Sequence, residues 1–239
     1  MNLILFNREE IVRPLPIADP RAVHILSVLR RQISQTFDAG LLNGPRGQGT
    51  LVEIKAEHLV IEYAWGDEPP PADPITLVIG LPRPQTARKI LQEASTLGVA
   101  ALHFVRTVRG ESSYADSTLW RTGEWQRHIA AGAAQAFCTR VPTVSHGNSL
   151  SDTLALLPKS GDLIALDNYE ASIPFSNCHL SSSSPSIIAF GAERGWSADE
   201  RELLGQRGFI FSHLGSRVLR LETAVIVALA LLKAQQGTM

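Results

Sequence analysis

Short apolar runs alternate with helical patterns over the second two thirds of the chain, and this alternation limits the fold more than any other feature. The runs that predict buried strands are ITLVIGL, ALHFV, DLIALDN, PSIIAF and FIFSHLG. Helical patterns lie between them, such as QTARKILQEASTLGV, which ends at Gly98, and LETAVIVALALLKAQQ. Buried strands that alternate with helices predict a mostly parallel sheet covered on both faces. In such sheets, ligands bind at the carboxyl ends of the strands.

Three further helical features are expected in this part of the chain. Residues 117–137 predict one long helix that Gly123 and Gly132 weaken. Another helix begins at Ser197, and Glu200 follows three residues later, which is the pattern of a capping box. The terminal helix is apolar nearly all round, so it is expected to be buried on more than one side. Either a partner subunit or a central place within one subunit would cover it.

The segment GDEPPPADP is the sharpest break in the chain. Three consecutive prolines with flanking acids favour a stiff, extended and exposed connector. We therefore predict a first domain over residues 1–68, a linker over 69–74 and a second domain over 75–239. In the first domain, TLVEI and LVIEY predict strands, and NGPRGQG predicts a turn before them. Asp19 followed by Pro20 predicts the start of a helix. These elements fit a small β-barrel with one short helix.

Composition excludes several classes of protein. The net charge of −1 gives no global electrostatic case for nucleic acid or an anionic membrane, so any basic surface must be local. The two cysteines, Cys138 and Cys178, are far apart, which argues against a zinc ribbon or a disulfide scaffold, and no metal site is expected. The apolar run TAVIVALALL has about half the length of a membrane span. The start MNLILFNREE lacks the basic region of a signal peptide, so we expect a soluble cytoplasmic protein.

The stretch FGAERGWSADE places a tight turn between a predicted strand and a capped helix, with Gly191 and Gly195 at its two ends. Its spacing lacks the Lys-Ser/Thr of a phosphate loop and the Gly-x-Gly-x-x-Gly of a dinucleotide fold. Glu193 in the turn would repel a phosphate. A nucleoside ligand with a positive centre, such as S-adenosylmethionine, suffers no such repulsion. A plain connection without a ligand is the alternative.

A second glycine motif, LGSRVLRLETA, follows the last predicted strand. It contains Arg217 and Arg220, and then Glu222 at the start of the terminal helix. Two arginines beside a glycine turn are costly to bury without anionic partners. Arg220 could pair with Glu222 or Glu193 within the chain. Alternatively, the arginines could contact RNA phosphates or stabilise charge that develops on a substrate base.

The succession of GAERGWSADE and HLGSRVLRLETA resembles the paired signature of the SPOUT methyltransferases, and most closely the RsmE family, the 16S ribosomal RNA uridine-N3 methyltransferases. That family typically shows a Gly-Pro-Glu-Gly-Gly turn and a Leu-Gly-x-Arg-Ile-Leu-Arg-x-Glu-Thr-Ala segment. HILSVLRRQ, ILQEASTLGV and AAQAFCTRVPTV extend the similarity over the whole chain. Ala192 and Arg194 depart from the family's proline and glycine, which leaves the cofactor assignment standing and the target nucleotide open.

The resemblance implies an α/β trefoil-knot methyltransferase domain with a small N-terminal PUA-like β-barrel that binds RNA. The two glycine motifs would close round one S-adenosylmethionine, and a homodimer would complete the site. Within this resemblance we assign Glu222 as the base for the uracil N3 proton and Arg220 as the group that steadies the imide anion. Alternatively, Glu222 is a helix-start acid that complements the helix dipole.

Two larger sets of residues complete the predicted site. The candidate cofactor contacts are Leu166, Phe190, Gly191, Ala192, Gly195, Leu214, Gly215, Val218, Leu219 and Thr223. The candidate RNA contacts are Arg30, Arg83, Arg88, Arg106, Arg109, Arg194 and Arg217.

The predicted function is methylation of N3 of a uridine in 16S ribosomal RNA of the small ribosomal subunit, with S-adenosylmethionine as the methyl donor. Two alternatives stay open. One is a SPOUT enzyme that methylates another RNA position, such as a ribose 2′-hydroxyl or another base. The other is an RNA-binding assembly factor without chemistry.

Overall fold

The computed structural model describes residues 3–181 and 184–238. The chain divides into two compact units, which are Met1–Pro71 with Ala130–Val141, and Ala72–Ile129 with Pro142–Met239. The boundary between Pro71 and Ala72 lies inside the segment predicted as a linker. The grouping of residues 130–141 with the first unit has no counterpart in the sequence prediction.

The first unit is built on a sheet with the strand order β1-β3-β4-β5-β2 among the described residues. Its strands are β1 (Ile4–Phe6), β2 (Leu15–Pro16), β3 (Thr36–Leu41), β4 (Arg46–Ile54) and β5 (His58–Trp65). Strand β1 runs parallel to β3, and the other pairs are antiparallel. The predicted strands TLVEI and LVIEY lie in β4 and β5, and alternate residues such as Leu51 and Leu59 fill the core of this unit.

The helix of the first unit begins where the sequence predicts. The Asp19 side chain accepts a hydrogen bond from the backbone nitrogen of Arg21 at 2.8 Å and caps α1 (Pro20–Val23). A π-helical turn, His24–Val28, continues it.

The second unit contains a sheet in which every described strand pair is parallel, in the order β10-β12-β9-β11-β6-β7-β8. Its strands are β6 (Asp73–Gly80), β7 (Val99–Arg106), β8 (Thr143–Ser149), β9 (Asp162–Leu166), β10 (Ile173–Pro174), β11 (Ser186–Phe190) and β12 (Ile210–His213). The apolar run of β11 is buried along its whole length because β9 and β6 flank it and helices cover the sheet. The predicted parallel sheet is confirmed.

Helices connect these strands. They are α2 (Pro84–Thr96), α3 (Thr118–Arg121), α4 (Glu124–Gln135), α5 (Leu150–Leu156), α6 (Ala198–Gln206) and α7 (Leu221–Gln236). Helix α2 ends before Gly98, whose φ is +79°, and α6 carries the predicted capping box between Ser197 and Glu200. The prediction of one long helix over 117–137 is wrong, because Gly123 adopts φ +73° and separates α3 from α4.

The strand order decides which loops meet. Strands β11 and β12 flank β9 on opposite sides, so three parallel strands end side by side. The loops that follow them leave from one edge of the sheet. Among residues 3–181 and 184–238, no helix is both long and apolar enough to cross a membrane. The same residues contain no cluster of three side chains suited to hold a metal ion.

Candidate active site

The loops that follow β9, β11 and β12 enclose a cavity of about 120 Å³. The residues that line it are Leu166, Asp167, Asn168, Tyr169, Phe190, Gly191, Ala192, Glu193, Gly195, Leu214, Val218, Leu219, Leu221 and Ala224. The predicted cofactor contacts lie in these loops and the adjoining strand and helix ends. Among them, Gly215 and Thr223 do not line the cavity.

The sequence prediction missed two parts of the cavity, which are Leu221 and Ala224 of α7 and the loop after β9 beyond Leu166. Asp167, Asn168 and Tyr169 all contribute to the wall. The signal that could have found them is the polar Asp-Asn pair at the end of the apolar run DLIALDN, because polar residues at a strand's carboxyl end face the ligand edge of such a sheet.

The glycine turn after β11 is closed on itself. A Cβ atom at Gly191 would lie 2.8 Å from the backbone carbonyl carbon of Gly195, closer than real side chains approach. Gly195 has φ +66°, and its N–H donates to the carbonyl of Ala192 at 2.8 Å. A Cβ at Gly80, at the end of β6, would collide with the backbone nitrogen of Ala192. Glycine at these positions therefore lets the backbone itself form this part of the cavity wall. The turn forms even though Ala192 replaces the proline that is usual in the family.

A buried ion pair holds the part of the wall that the loop after β9 forms. The Asp167 side chain is 1% exposed, and its carboxylate accepts hydrogen bonds from Arg201 Nε at 2.6 Å and from the backbone N–H groups of Tyr169 at 2.7 Å and Glu170 at 3.1 Å. Trp196 Nε1 donates to the Leu166 carbonyl at 3.2 Å. These bonds tie the loop after β9 to α6 and to the glycine turn, so the wall is preorganised.

A second cavity, of about 530 Å³, shares Glu193, Val218, Leu219 and Leu221 with the first. Its other lining residues are Arg83, Gln85, Thr86, Lys89, Arg220 and Glu222. The volume is within the usual range of ligand pockets, about 300–1,000 Å³. An apolar cavity and a charged cavity therefore lie next to each other at the carboxyl edge of the sheet.

Glu222 lies in the first turn of α7, with its side chain 15% exposed. Its Oε1 is 3.2 Å from Nζ of Lys89, a residue of α2 that the sequence prediction did not identify. Partial burial raises the pKa of Glu222. The hydrogen bonds from its own N–H and from Lys89, with the positive charges of Lys89 and Arg220, outweigh this and leave the pKa below its ordinary value. Arg220 is the exposed N-cap residue of α7.

Some of the predicted RNA contacts come together, and others do not. Arg83, Arg109 and Arg194 line a third cavity, in which Arg109 Nη1 donates to the Arg194 carbonyl at 3.1 Å. Arg88 instead forms a two-bond ion pair with Glu124, at 2.8 and 3.0 Å, which lowers the pKa of Glu124 to about 2 together with a hydrogen bond from His128. The remaining candidates lie elsewhere: Arg106 at the end of β7, Arg217 in the loop after β12, and Arg30 in the first unit.

A family model described as an RNA methyltransferase domain matches residues 68–233. The ribosomal RNA small subunit methyltransferase E of Treponema pallidum (strain Nichols) is 33% identical to this chain, over 98% of this chain and 91% of that protein. This chain belongs to the family of ribosomal RNA small subunit methyltransferase E. A second relative, ribosomal RNA small subunit methyltransferase E 1 of Borreliella burgdorferi (strain ATCC 35210 / DSM 4680 / CIP 102532 / B31), is 25% identical over 95% of each chain. The predicted RsmE family is confirmed.

Two solved structures share the fold. A probable rRNA-methyltransferase from Porphyromonas gingivalis superposes with a TM-score of 0.80 at 22% identity, over 98% of this chain and 99% of that one. A ribosomal RNA small subunit methyltransferase E from Neisseria gonorrhoeae, crystallised with S-adenosyl methionine, superposes with a TM-score of 0.75 at 22% identity, over 97% of each chain. The predicted α/β domain with a small N-terminal β domain is confirmed, and the trefoil knot stays a prediction.

The two signature motifs of the RsmE family occupy the loops that form the cavities. The Gly191 to Gly195 turn lines the first cavity, and the segment from Leu214 to Glu222 contributes to both. Phe190, Leu214 and Leu219 make part of the wall of the first cavity apolar, and the glycine turn brings backbone atoms to it.

Proposed function

We propose that this chain methylates N3 of a uridine in 16S ribosomal RNA of the small ribosomal subunit, with S-adenosylmethionine as the methyl donor. The observation that carries the proposal is the shared wall between the glycine-lined apolar cavity and the charged cavity that holds Glu222 and Arg220. The first would hold the donor and the second the target base. Membership of the RsmE family supports both the donor and the RNA class.

The residues of the first cavity would bind the donor in two ways. Phe190, Leu214, Val218 and Leu219 would pack against its apolar parts, and the backbone of the glycine turn would take its polar groups. When bound, S-adenosylmethionine supplies an electrophilic methyl group, so that the N3 electron pair forms the new bond and the pair of the broken carbon–sulfur bond stays on sulfur. The main contribution of the protein is to hold the two reactants in line.

The second cavity supplies the proton acceptor. Uracil N3 carries a proton that must leave as the new bond forms, and the Glu222 carboxylate would accept it. The lowered pKa of Glu222 keeps this carboxylate ionised at neutral pH but also makes it a weaker base. Arg220 would offset the negative charge that develops on the imide. A carboxylate with positive neighbours can accept the proton because one arginine stabilises the charge left behind.

The proposal also includes an RNA-binding domain, a homodimer and a location in the cytoplasm. The domain predicted over residues 1–68, which contains Arg30, would serve as the PUA-like RNA-binding domain. Two copies would associate as a homodimer in the cytoplasm. The support for association is the sequence of α7, which is apolar nearly all round, whereas within one copy its buried residues are Val225, Ala228, Leu229 and Leu232.

Methylation of a different RNA position is the second candidate, and Arg194 favours it. The family usually has glycine at this place in the turn, whereas Arg194 brings a guanidinium to the cavity that Arg83 and Arg109 also line. An added cation there could select a different RNA context. The third possibility, an assembly factor without chemistry, is disfavoured because Glu222 and Arg220 remain together in one cavity.

Nucleoside mass spectrometry of ribosomal RNA from cells with and without the gene tests the proposal. We expect 3-methyluridine to disappear from small-subunit RNA in the deletion, and to return with the intact protein but not with Glu222→Gln. Unchanged 3-methyluridine in the deletion would contradict the proposal. Loss of a different methyl mark would support the second candidate.

A further inference from the structure

Lys89 is the one lysine of the described residues that lines the second cavity. It lies in α2, and its partner Glu222 lies 133 positions later at the start of α7. Helix α2 buries Thr86 and Ile90. Thr86 and Lys89 are three residues apart on one helix face, and both line the cavity. The packing of α2 therefore directs the Lys89 side chain toward the reaction site.

The pairing of Lys89 with Glu222 differs from an ordinary surface ion pair. Exposed pairs contribute little because water screens both charges. The Lys89 side chain is itself 60% exposed, but its partner carboxylate is 15% exposed and faces a cavity. The pair therefore contributes little to stability, and the ammonium of Lys89 retains two donors that a ligand in the cavity can use.

The second cavity brings two positively charged side chains near one carboxylate. Lys89 and Arg220 both act on Glu222, and all three line the same space. The imide edge of uracil can complement one carboxylate and two cations, since its N3–H donor lies between two carbonyl acceptors. Cytosine would present an unprotonated N3 to the carboxylate and an amino donor to one of the cations. Reading a base through its Watson–Crick edge is the usual way in which enzymes select an unstacked base.

We propose that Lys89 is a specificity-determining residue of the methyl-transfer site, whose ammonium binds one carbonyl oxygen of the target uracil while it holds the Glu222 carboxylate toward N3–H. Arg220 binds the other carbonyl oxygen. This inference rests on the proposed function, because it assumes a uracil in the second cavity. It adds a residue on a helix that contains neither signature motif.

The alternative role for Lys89 is a plain contact to an RNA phosphate. Such a contact would affect RNA affinity and its salt dependence, and would leave the rate at saturating RNA unchanged. A residue that reads the base and orients the acceptor affects the rate at saturation and the pH profile. The two roles therefore separate in one set of measurements.

The experiment uses the full chain with small ribosomal subunits from cells that lack the gene. Single-turnover methylation is measured at saturating RNA from about pH 4.5 to 9 for Lys89→Met, Lys89→Arg and the control Lys159→Met. Lys159 is an exposed lysine next to β9 at the opposite, amino-terminal edge of the sheet. Calorimetry with S-adenosylmethionine checks that each variant keeps its fold and its donor site.

We expect Lys89→Met to lower the saturating rate about 10- to 100-fold, the usual range for a lost hydrogen bond to a charged group. The acid limb of its pH profile should move to higher pH, since Glu222 loses a positive neighbour. Lys89→Arg should recover much of the rate, and donor affinity should not change. Lys159→Met should match the wild type throughout.

Two results would overturn the inference while the proposed function stands. One is a Lys89→Met rate within twofold of the wild type, and the other is a defect confined to RNA affinity with a reduced salt slope. If the wild-type protein forms no 3-methyluridine on these subunits, the proposed function itself fails, and the inference fails with it.

Discussion

Removal of the Asp167 carboxylate is expected to loosen one wall of the donor cavity. In Asp167→Ala, the guanidinium of Arg201 and the N–H groups of Tyr169 and Glu170 lose their common acceptor. Breaking a buried ion pair from one side costs about 3–5 kcal/mol. Arg201 is 16% exposed, so water reaches part of it, and we expect the low end, about 3 kcal/mol of unfolding free energy.

Asp167→Asn removes the negative charge but keeps the size and shape of the side chain. The amide oxygen can still accept from the two backbone N–H groups in place of Oδ1, but the amide NH2 then replaces Oδ2 and faces the Arg201 N–H, so the hydrogen bond from Arg201 is lost. We expect a cost of about 2 kcal/mol, within the range for hydrogen bonds to charged groups. The matched control is Glu53→Ala, which breaks the half-exposed pair with Lys55 and should cost less than about 1 kcal/mol.

Urea denaturation gives the unfolding free energies, and calorimetry gives the affinity for S-adenosylmethionine. The affinity should fall in Asp167→Ala more than in Asp167→Asn, because only alanine frees the loop after β9. A stability loss below about 1 kcal/mol for Asp167→Ala would refute the reasoning. Normal donor affinity in a destabilised variant would show that the ion pair supports the fold without shaping the cavity.

Three other outcomes follow from the same geometry. In calorimetry, Gly191→Ala should weaken donor binding more than Gly195→Ala. A Cβ at position 191 would lie 2.8 Å from backbone atoms, whereas a side chain at position 195 meets only the cost of a left-handed backbone conformation, about 1–2 kcal/mol. Equal effects of the two substitutions would contradict the closed turn. The folded pKa of Glu222 lies below its ordinary value of 4.5, so its stabilisation is present above that pH and is lost as pH falls through the folded pKa. The urea stability difference between the wild type and Glu222→Gln should therefore shrink below pH 4.5, and a difference that grows would reverse the assigned sign. In an NMR titration, the carboxyl group of Glu124 should titrate near pH 2 in the wild type and at higher pH in Arg88→Gln, and no change would exclude their ion pair in solution.

Local signals in the sequence predict the elements that local interactions form. The pattern LETAVIVALALLKAQQ coincides with α7, and the capping box of α6 depends on residues only three positions apart. Gly123 shows the limit, because its weakness in a helix is visible in the sequence but its φ of +73° depends on the surrounding packing. Strand β8 was not predicted, since its sequence TVSHGNS is largely polar and it lies at an edge of the sheet.

The residues of the site also divide into those that a local sequence motif predicts and those that it does not. The glycine turn and the Leu214 to Glu222 segment are contiguous motifs, so the sequence places them together. Lys89 and Arg201 have no such motif, because their partners Glu222 and Asp167 are 133 and 34 positions away. Only the parallel strand order and the packing of α2 near α7 bring these pairs together.

The order β12-β9-β11 has a consequence for how the cofactor and the fold depend on each other. The three loops around the donor cavity belong to separate stretches of chain, so a molecule bound there acts as a removable cross-link between them. A ligand at a hundredfold excess over its dissociation constant stabilises the folded state by about 2.7 kcal/mol. A methyl donor bound there would therefore stabilise the fold of the protein in addition to serving the reaction.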